Sequence, residues 1–338
     1  MNSHLPITMR YQTALKNSSA QLSVDGLTAR NLNVLQEGPH PDGVIVCGMG
    51  GSGLAGTLLA GLADDVGISV PVVQWKSYGL PTYQFSRPLY VFVSYSGETA
   101  EIRSGLRAAL DAGAPAAVVT SDTGGVLKTS AEDHGLPLVT FPADKAHGSL
   151  TPRQSCGYMY YSVLKLLSIS FPNIEPSDLR ERVDSAAFEE NGRDLAETIG
   201  SRAVLVYTTP QYAHLGSLWK VIINETAKRP AFANTFPEMS HNEVIGFTKE
   251  ARLPFSAVFL ADPANAGGPI EKKRLVVEQF LVDRGIPVST VSLVGVDAEE
   301  KTWSGAALAH WTCVTLAEQA GVDPISTDVV SEIKQKTK

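Results

Sequence analysis

Short apolar runs alternate with longer helical patterns through the first half of the chain. Gly43–Gly56 begins as an apolar run without polar alternation, which indicates a strand buried on both faces, and then breaks into glycines. The leucines of Thr57–Leu62 that follow have helical spacing. Further elements are predicted as strands at Pro71–Gln74, Leu89–Ser94, Ala116–Thr120 and Leu136–Phe141 and as a helix at Thr99–Ala112. Alternating strands and helices are typical of an α/β fold with a doubly wound parallel sheet.

The second half of the chain repeats this pattern more weakly. Ala203–Tyr207 is again a short apolar strand, and the loop Thr208–Gly216 leads into a helix at Leu218–Ala227. The later elements are strands at Ser256–Leu260 and Val288–Leu293 and an amphipathic helix at Ile270–Arg284. We therefore expect two α/β domains of one kind in tandem, residues 1–170 and residues 171–338.

Regions outside the repeat also carry helical patterns. Met9–Leu22 and Leu27–Leu35 are each predicted to form a helix, and we expect both to cover one face of the first sheet. The composition shifts to serine and proline from Ser168 to Pro176, which predicts the domain boundary. The charged stretch Asp178–Ile199 is predicted to be an exposed helix.

The composition is that of an ordinary globular protein of about two domains, with 338 residues, 43% hydrophobic and 19% charged. No apolar stretch reaches the ~18 residues of a membrane-spanning helix, and the polar start lacks a signal-peptide pattern, so we expect a cytoplasmic protein with no membrane partner. Three scattered cysteines predict neither a disulfide framework nor a metal cluster. The net charge of −7 lacks the basic footprint of a nucleic-acid-binding protein.

The glycine-rich loop Gly48–Gly53 is a candidate anion site. Glycines let backbone N–H groups approach a ligand closely, and the start of a helix favours a phosphate. The same glycines also fit a dinucleotide-binding pattern, which requires an acidic residue about 20 positions later. The next strand ends in Gln74, Trp75 and Lys76, so that acid is missing. A purely structural tight turn is the remaining alternative.

Three hydroxyl groups follow a later strand, in the run Ser94-Tyr95-Ser96-Gly97-Glu98-Thr99. Because the run lies between a strand and the next helix, it is predicted at the carboxyl edge of the sheet, where parallel sheets bind ligands. Helix capping by Ser96 and Thr99 is the alternative explanation. Capping accounts for one hydroxyl better than for three, so we favour a second phosphate-binding loop.

Groups suited to proton transfer occur in the second half, where the repeat departs from its first copy. Burial can tune a carboxylate and an imidazole towards neutral pH, which makes Glu225 and His241 candidates. Apolar neighbours such as Phe236 and Met239 suggest that they line a cleft. The alternatives are a surface ion pair of Glu225 with Lys228 or Arg229, and a histidine in an ordinary loop. Arg153, before an apolar helix predicted at Gly157–Leu167, is either a surface charge or an anion ligand.

These motifs together resemble the bifunctional phosphoglucose/phosphomannose isomerases, which are sugar isomerase (SIS) domain proteins. The matching residues are Gly50-Gly51-Ser52-Gly53, Ser94-x-Ser96-Gly97-x-Thr99, Pro152-Arg153, Asn224-Glu225-x-x-Lys228, Pro230-Ala231-Phe232, Phe236-Pro237-Glu238, His241-Asn242-Glu243 and Gly321-Val322-Asp323-Pro324. They occur in the family's order, from about Gly43 to Lys334. The resemblance implies two SIS domains in tandem, and an enzyme that interconverts glucose 6-phosphate or mannose 6-phosphate with fructose 6-phosphate.

The resemblance also implies roles for single residues. The 6-phosphate of the sugar would be held by Ser52, Ser94, Ser96 and Thr99. Glu225 would move a proton between C1 and C2 through a cis-enediol, while Gly51 and Arg153 would stabilise the enediolate. An arginine near the developing charge is a stabiliser that preorganised sites commonly use.

The remaining implications concern ring opening, epimer choice and assembly. His241 would open the sugar ring with help from Lys334, and Thr327 would leave room for either C2 epimer. The family implies a homodimer with shared active sites, in which His241 reaches into the partner's cleft, and chemistry without a cofactor or metal. One departure is Glu98, where the family often has asparagine, because a carboxylate beside a phosphate weakens binding unless it is paired or points away.

Two other function classes are weighed against this interpretation. A non-catalytic sugar-phosphate-binding SIS protein would be expected to lack the pair Glu225 and His241, which is present. A dinucleotide-dependent dehydrogenase is disfavoured by the missing acid. An isomerase for another phosphosugar stays open. No His-x-x-His spacing occurs, which is against a zinc-dependent mannose phosphate isomerase.

Overall fold

Strands and helices alternate to build two separate sheets, each within its own unit of the chain. A computed structural model describes residues 6–38, 40–82, 85–143, 151–247 and 254–336. The N-terminal unit comprises Asn17–Asp184 together with Asp297–Glu300. The C-terminal unit comprises the described residues of Ser185–Val296 and of Lys301–Lys338, together with the first helix. None of the helices in the described ranges has the length and apolar character that crossing a membrane requires.

The sheet of the N-terminal unit has six strands within the described residues. In chain order they are β1 (Thr28–Arg30), β2 (Gly43–Gly48), β3 (Val72–Trp75), β4 (Pro88–Ser94), β5 (Ala116–Ser121) and β6 (Leu138–Phe141). Their order across the sheet is β1-β6-β5-β4-β2-β3. β2 to β6 are parallel, and β1 pairs antiparallel with β6. Both β2 and β5 are buried along their whole length, as expected for strands without polar alternation.

The sheet of the C-terminal unit has four described strands, all parallel. They are β7 (Ala203–Thr208), β8 (Ala231–Thr235), β9 (Phe255–Ala261) and β10 (Val288–Ser292). Their order across the sheet is β10-β9-β7-β8.

Both sheets are wound in the same way. In each one the first parallel strand, β2 or β7, has the second parallel strand on one side and the third on the other. The winding direction therefore reverses between β2 and β4, and again between β7 and β9. Open parallel sheets bind their ligands beyond the carboxyl ends of the strands at such a reversal. The loops after β2 and β4 are thus placed where a ligand site is expected.

Helices connect and flank the strands. In chain order they are α1 (Ile7–Lys16), α2 (Asn33–Glu37), α3 (Gly50–Leu62), α4 (Ala100–Asp111), α5 (Gly125–Asp133), α6 (Cys156–Ser170), α7 (Glu189–Ile199), α8 (Ala213–Thr226), α9 (Pro269–Val282), α10 (Ala298–Ala320) and α11 (Asp328–Lys336). In the N-terminal unit, α3 and α6 pack against each other, and α3 also contacts β2. The helix α3 is therefore held between a strand and a second helix.

The prediction of a helix at Leu27–Leu35 is wrong. This stretch contains β1, whose residues pair with Leu138, Val139 and Thr140 of β6, and the short helix α2 begins only at Asn33. The pairing joins residues more than a hundred positions apart, and such a partner cannot be read from a local pattern. Long-range hydrogen bonds here outweigh local helical spacing.

Two other helix predictions are also corrected. The structure ends the first helix at Lys16, and its Tyr11 hydroxyl bonds Thr226 and His310 of the C-terminal unit, so this helix does not cover the first sheet. The helix predicted at Asp178–Ile199 is formed only over Glu189–Ile199. Leu179 and Val183, which precede it, are buried, and the Leu179 N–H donates a hydrogen bond to the Leu22 carbonyl.

Candidate active site

The loops after β2 and β4 are joined directly to each other at the carboxyl end of the N-terminal sheet. The two strands are paired, with Gly48 opposite Val93. The Tyr95 N–H in the second loop donates a hydrogen bond to Ser52 Oγ in the first, at 3.0 Å. Ser52 is buried in the first turn of α3, next to Gly53. The predicted phosphate residues of the two loops therefore lie side by side.

Hydroxyl groups organise the loop after β4. Ser94 Oγ lies 3.1 Å from Thr99 Oγ1 and accepts a hydrogen bond from the Gly97 N–H at 3.2 Å. Ser96 Oγ accepts from the Glu98 N–H at 3.2 Å, and Ser96 itself is exposed. Thr99 is the N-cap residue of α4, but its side chain makes no capping bond within the described residues. Helix capping therefore does not account for the Thr99 hydroxyl.

A glycine fixes the shape of this loop. Gly97 has φ +68°, in the left-handed region, and a Cβ at this position would lie 1.6 Å from the Gly124 carbonyl oxygen. Only glycine fits such an approach. The loop is thereby pressed against the start of α5, with its N–H groups and hydroxyls held in place.

Glu98 has partners for its carboxylate, which is one of the two conditions under which its charge would not weaken phosphate binding. Its Oε1 accepts a hydrogen bond from the Val126 N–H at 2.9 Å, at the start of α5. Its Oε2 lies 3.6 Å from Arg103 Nη1. A helix start and an arginine both favour a negative charge. The carboxylate thus anchors the loop to α5 and has its charge offset by these neighbours.

Arg153 is brought to the glycine-rich loop by a close backbone approach. A Cβ on Gly51 would lie 2.6 Å from the Arg153 backbone nitrogen, so the first turn of α3 can approach this segment only because residue 51 is glycine. The Arg153 side chain is 1% exposed. An arginine buried this deeply is not the exposed surface charge that the sequence left as an alternative.

Gln21 holds the segment that follows Arg153 in place, and the sequence alone does not identify this role. Its Nε2 donates to the Gln154 carbonyl at 2.9 Å, and its Oε1 accepts from the Tyr158 N–H at 3.4 Å. Gln21 is 3% exposed. Its position before β1, far from Arg153 in the sequence, gives no local signal of this contact.

In the C-terminal unit, Glu225 lies in the last turn of α8 and is half-buried. The chain turns directly after it and enters β8. The turn is fixed by the Ala231 N–H, which donates to Asn224 Oδ1 at 2.9 Å. Lys228 donates hydrogen bonds through Nζ to the Glu225 carbonyl and to the Ser326 carbonyl. Glu225 therefore lies beside the amino end of β8.

His241 lies beyond the opposite end of the same strand. It closes a short 3-10 helix, Glu238–His241, and its exposed ring has Nε2 3.4 Å from Lys273 Nζ on α9. The neighbours Phe236 and Met239 are buried in the hydrophobic core with Phe259. These two apolar residues anchor the loop and leave His241 at the surface, and Phe236 also lines a pocket together with Tyr207 and Asp262.

Glu243 supports the same loop, a role that the sequence did not reveal. Its carboxylate accepts hydrogen bonds from the buried Tyr207 hydroxyl at 2.9 Å and from Asn234 Nδ2 at 2.7 Å. Burial and the nearby Glu243 charge raise the pKa of Tyr207. The phenol thus stays a hydrogen-bond donor, and the loop is tied to β7 and β8.

The last predicted site residues lie in the C-terminal segment of the chain. Thr327 is exposed, and its carbonyl accepts the Ser331 N–H in the first turn of α11. Lys334 is exposed on the same helix. Before them, Asp323 Oδ1 accepts hydrogen bonds from the N–H groups of Ile325 and Ser326 and so fixes a turn.

Across the described ranges, no group of three or more histidine, cysteine, aspartate or glutamate side chains is arranged to hold a metal ion. The predicted site residues fall into two sets. The N-terminal unit brings together Gly51, Ser52, Ser94, Ser96, Thr99 and Arg153, and the C-terminal unit carries Glu225, His241, Thr327 and Lys334.

Comparison with known proteins adds an independent finding. The family model described as bacterial phospho-glucose isomerase C-terminal SIS domain matches residues 188–337. A bifunctional phosphoglucose/phosphomannose isomerase of Aquifex aeolicus (strain VF5) is 30% identical over 299 residues, which make up 88% of this chain and 90% of that protein.

Solved structures show the same fold. A hypothetical protein from Thermus thermophilus has a TM-score of 0.72 at 17% identity, covering 99% of this chain and 91% of that one. The tagatose-6-phosphate ketose/aldose isomerase from Escherichia coli has a TM-score of 0.68 at 16% identity, covering 93% and 94%. Because the Aquifex relative aligns over most of both chains, this chain belongs to the bifunctional phosphoglucose/phosphomannose isomerase family.

Proposed function

We propose that this protein is an isomerase that interconverts glucose 6-phosphate and mannose 6-phosphate with fructose 6-phosphate, through a cis-enediol and without a metal. The observation that carries the proposal is the cluster of hydroxyls and glycines where the winding of the N-terminal sheet reverses. Ser52, Ser94 and Thr99 lie there with backbone N–H groups and the start of α3. Such a combination suits a phosphate dianion. The names of the family relatives supply the sugar.

In this proposal the 6-phosphate is bound by Ser52, Ser94, Ser96 and Thr99. Glu225 takes the proton from C2 of the aldose and returns it to C1, while the hydroxyl proton moves from O2 to O1, so that the base ends each turnover unchanged. Gly51 and Arg153 stabilise the negative charge on the enediolate oxygens. The burial of Arg153 supports this role, because a guanidinium with little access to water interacts more strongly with a developing charge.

His241 and Lys334 are proposed to open the sugar ring before isomerisation, and Thr327 to leave room for either C2 epimer. At the level of the fold, we propose that both units are SIS domains in tandem. The shared winding of the two sheets supports this, as does the match of residues 188–337 to an SIS family model.

We further propose a homodimer in which each active site takes Glu225 from one chain and His241 from the other. The support comes from β8, which begins beside Glu225 and ends before the loop of His241. Five extended residues span roughly 15 Å. Acid–base groups must come within about 3 Å of the atoms that they serve. Glu225 and His241 of one chain are therefore poorly placed to serve the same sugar.

The proposed activity is tested by a coupled assay with each hexose 6-phosphate in the presence of a chelator. Glu225→Gln keeps the size of the side chain but removes the base, so we expect kcat to fall by about 100- to 10,000-fold with little change in substrate affinity. The matched control is Glu197→Gln, an exposed glutamate on α7. Inorganic phosphate is expected to compete with the substrate.

Three results would contradict parts of this proposal. Substantial turnover by Glu225→Gln would exclude it as the base. A failure of phosphate to compete would exclude the phosphate-binding loops. Activity that is lost with the chelator and restored by a metal would exclude metal-independent chemistry.

A further inference from the structure

Lys228 has a backbone conformation that costs energy for any residue other than glycine. The helix α8 ends at Thr226, and Lys228 follows with φ +55°, in the left-handed region. This is the position at which helices commonly end with glycine, because a Cβ is disfavoured there. A strained backbone outside glycine points to a functional reason for the side chain.

The side chain of Lys228 bridges two carbonyls that are distant in the sequence. Its ammonium group donates to the carbonyl of Glu225 and, at 2.6 Å, to the carbonyl of Ser326. The first bond holds the last turn of α8, which carries the proposed base. The second holds the residue directly before Thr327.

The helix that follows Ser326 has little packing of its own. Every described residue of α11 is exposed, so burial contributes little to fixing this helix. Asp323 fixes the turn before it through the N–H groups of Ile325 and Ser326. Ile325 packs this turn against the hydrophobic cluster around Trp311, and Lys228 adds a hydrogen bond that links the turn to the end of α8.

We infer that Lys228 is a positioning residue that ties the Glu225 end of α8 to the segment carrying Thr327 and Lys334. The inference rests on the proposed function, since it concerns how three proposed site residues are kept in register. A lysine that merely capped the helix would need only the first of the two bonds, and a glycine would cap it with less strain.

The decisive variant is Lys228→Gly, which relieves the backbone strain and removes the ammonium group. We expect kcat to fall by about 10- to 100-fold, the cost of a small misplacement of catalytic groups, with KM for the hexose phosphate changed less than about twofold. The melting temperature should stay within a few degrees of wild type. Lys228→Arg, which can still reach both carbonyls, should recover part of the activity. The control is Lys220→Ala, an exposed lysine on the same helix.

Hydrogen exchange gives a second readout that does not depend on catalysis. We expect Lys228→Gly to speed amide exchange in α11, and Lys220→Ala to leave it unchanged. Wild-type kcat together with unchanged exchange in Lys228→Gly would overturn the inference. If the wild-type protein isomerises no hexose phosphate, the proposed function fails, and the exchange experiment still tests whether Lys228 tethers the segment.

Discussion

At the scale of single residues, His214 is a buried imidazole that the proposed chemistry does not use. It is 4% exposed near the start of α8, and its Nε2 lies 2.9 Å from Thr302 Oγ1. Burial lowers the pKa of His214 from its ordinary 6.5 to about 4, only partly opposed by a hydrogen bond with the backbone of Gln211. The folded protein therefore keeps this ring neutral at pH values where the unfolded chain binds a proton.

The lower pKa of His214 in the folded protein predicts that the free energy of unfolding decreases at acid pH. Because the unfolded chain takes up the proton first, the stabilisation is complete above pH 6.5 and is lost as the pH falls from 6.5 towards 4. The loss attributable to His214 is about 3 kcal/mol over that window. The change in the free energy of unfolding is measured by urea unfolding at about pH 7 and at about pH 4.5. These two pH values span most of the expected loss.

Two variants isolate the contribution of His214. His214→Gln cannot be charged but can still hydrogen-bond Thr302, so it should lose less stability than wild type over the same pH range. His134→Gln changes an exposed histidine and should behave like wild type. An equal acid loss in wild type and His214→Gln would show that other groups dominate the pH dependence.

Residue types that point to phosphate chemistry can be recognised in the sequence, but their contacts cannot. Ser52, Ser94, Ser96 and Thr99 stand out because hydroxyls and glycines follow buried strands. The bond from the Tyr95 N–H to Ser52 Oγ joins residues 43 positions apart. Gln21 and the Arg153 segment lie still further apart, so only the fold reveals which groups hold one another in place.

At the scale of elements, the close approach of the first turn of α3 to the segment before α6 depends on Gly51. Gly51→Ala would place a Cβ 2.6 Å from the Arg153 backbone nitrogen, so one of the two segments must move. Such overpacking costs about 1–3 kcal/mol, and displacement of Arg153 should lower kcat by about tenfold or more. Thermal unfolding and the coupled assay measure the two effects.

The control for this variant is Gly38→Ala. A Cβ there meets only the Val34 carbonyl oxygen, at an ordinary 3.6 Å. It should leave kcat unchanged and the melting temperature nearly so. If Gly51→Ala also has wild-type kcat, the approach of the two segments does not matter for turnover.

The elements most readily predicted were those whose pattern is local and strong. β2, β4 and β5 lack polar alternation and are buried, as the sequence indicates. β1 was missed because three residues are too few to show alternation, and its partner β6 is distant. β8 was not predicted either, since its sequence Ala-Phe-Ala-Asn-Thr at the edge of the sheet leaves Phe232 more than half exposed.

At the scale of the whole molecule, the proposed exchange of His241 between protomers can be tested by mixing two inactive variants. In a mixed dimer of Glu225→Gln and His241→Ala chains, a shared arrangement gives one site with both lesions and one native site. With free subunit exchange, half the dimers are mixed, so about a quarter of wild-type activity should return.

The control for the mixing experiment is the same pair of variants mixed without exchange, which should stay inactive. Subunit exchange itself is confirmed by native mass spectrometry of chains with different isotope labels. If exchange occurs and no activity returns, both groups act within one chain, while the isomerase assignment is unaffected.

The time at which each unit can finish folding during synthesis is constrained by the way the two units divide the chain. The helix α1 leaves the ribosome first, but its Tyr11 hydroxyl can form its hydrogen bonds only after Thr226 and His310 have been synthesised. The N-terminal unit is likewise incomplete until Glu299 has been synthesised. This buried carboxylate accepts hydrogen bonds from Tyr161 and Ser177. Neither unit has all its polar partners until most of the chain has been translated, so the two units complete their folding close together in time. A fragment that stops at residue 184 carries the Tyr161 and Ser177 hydroxyls without their acceptor.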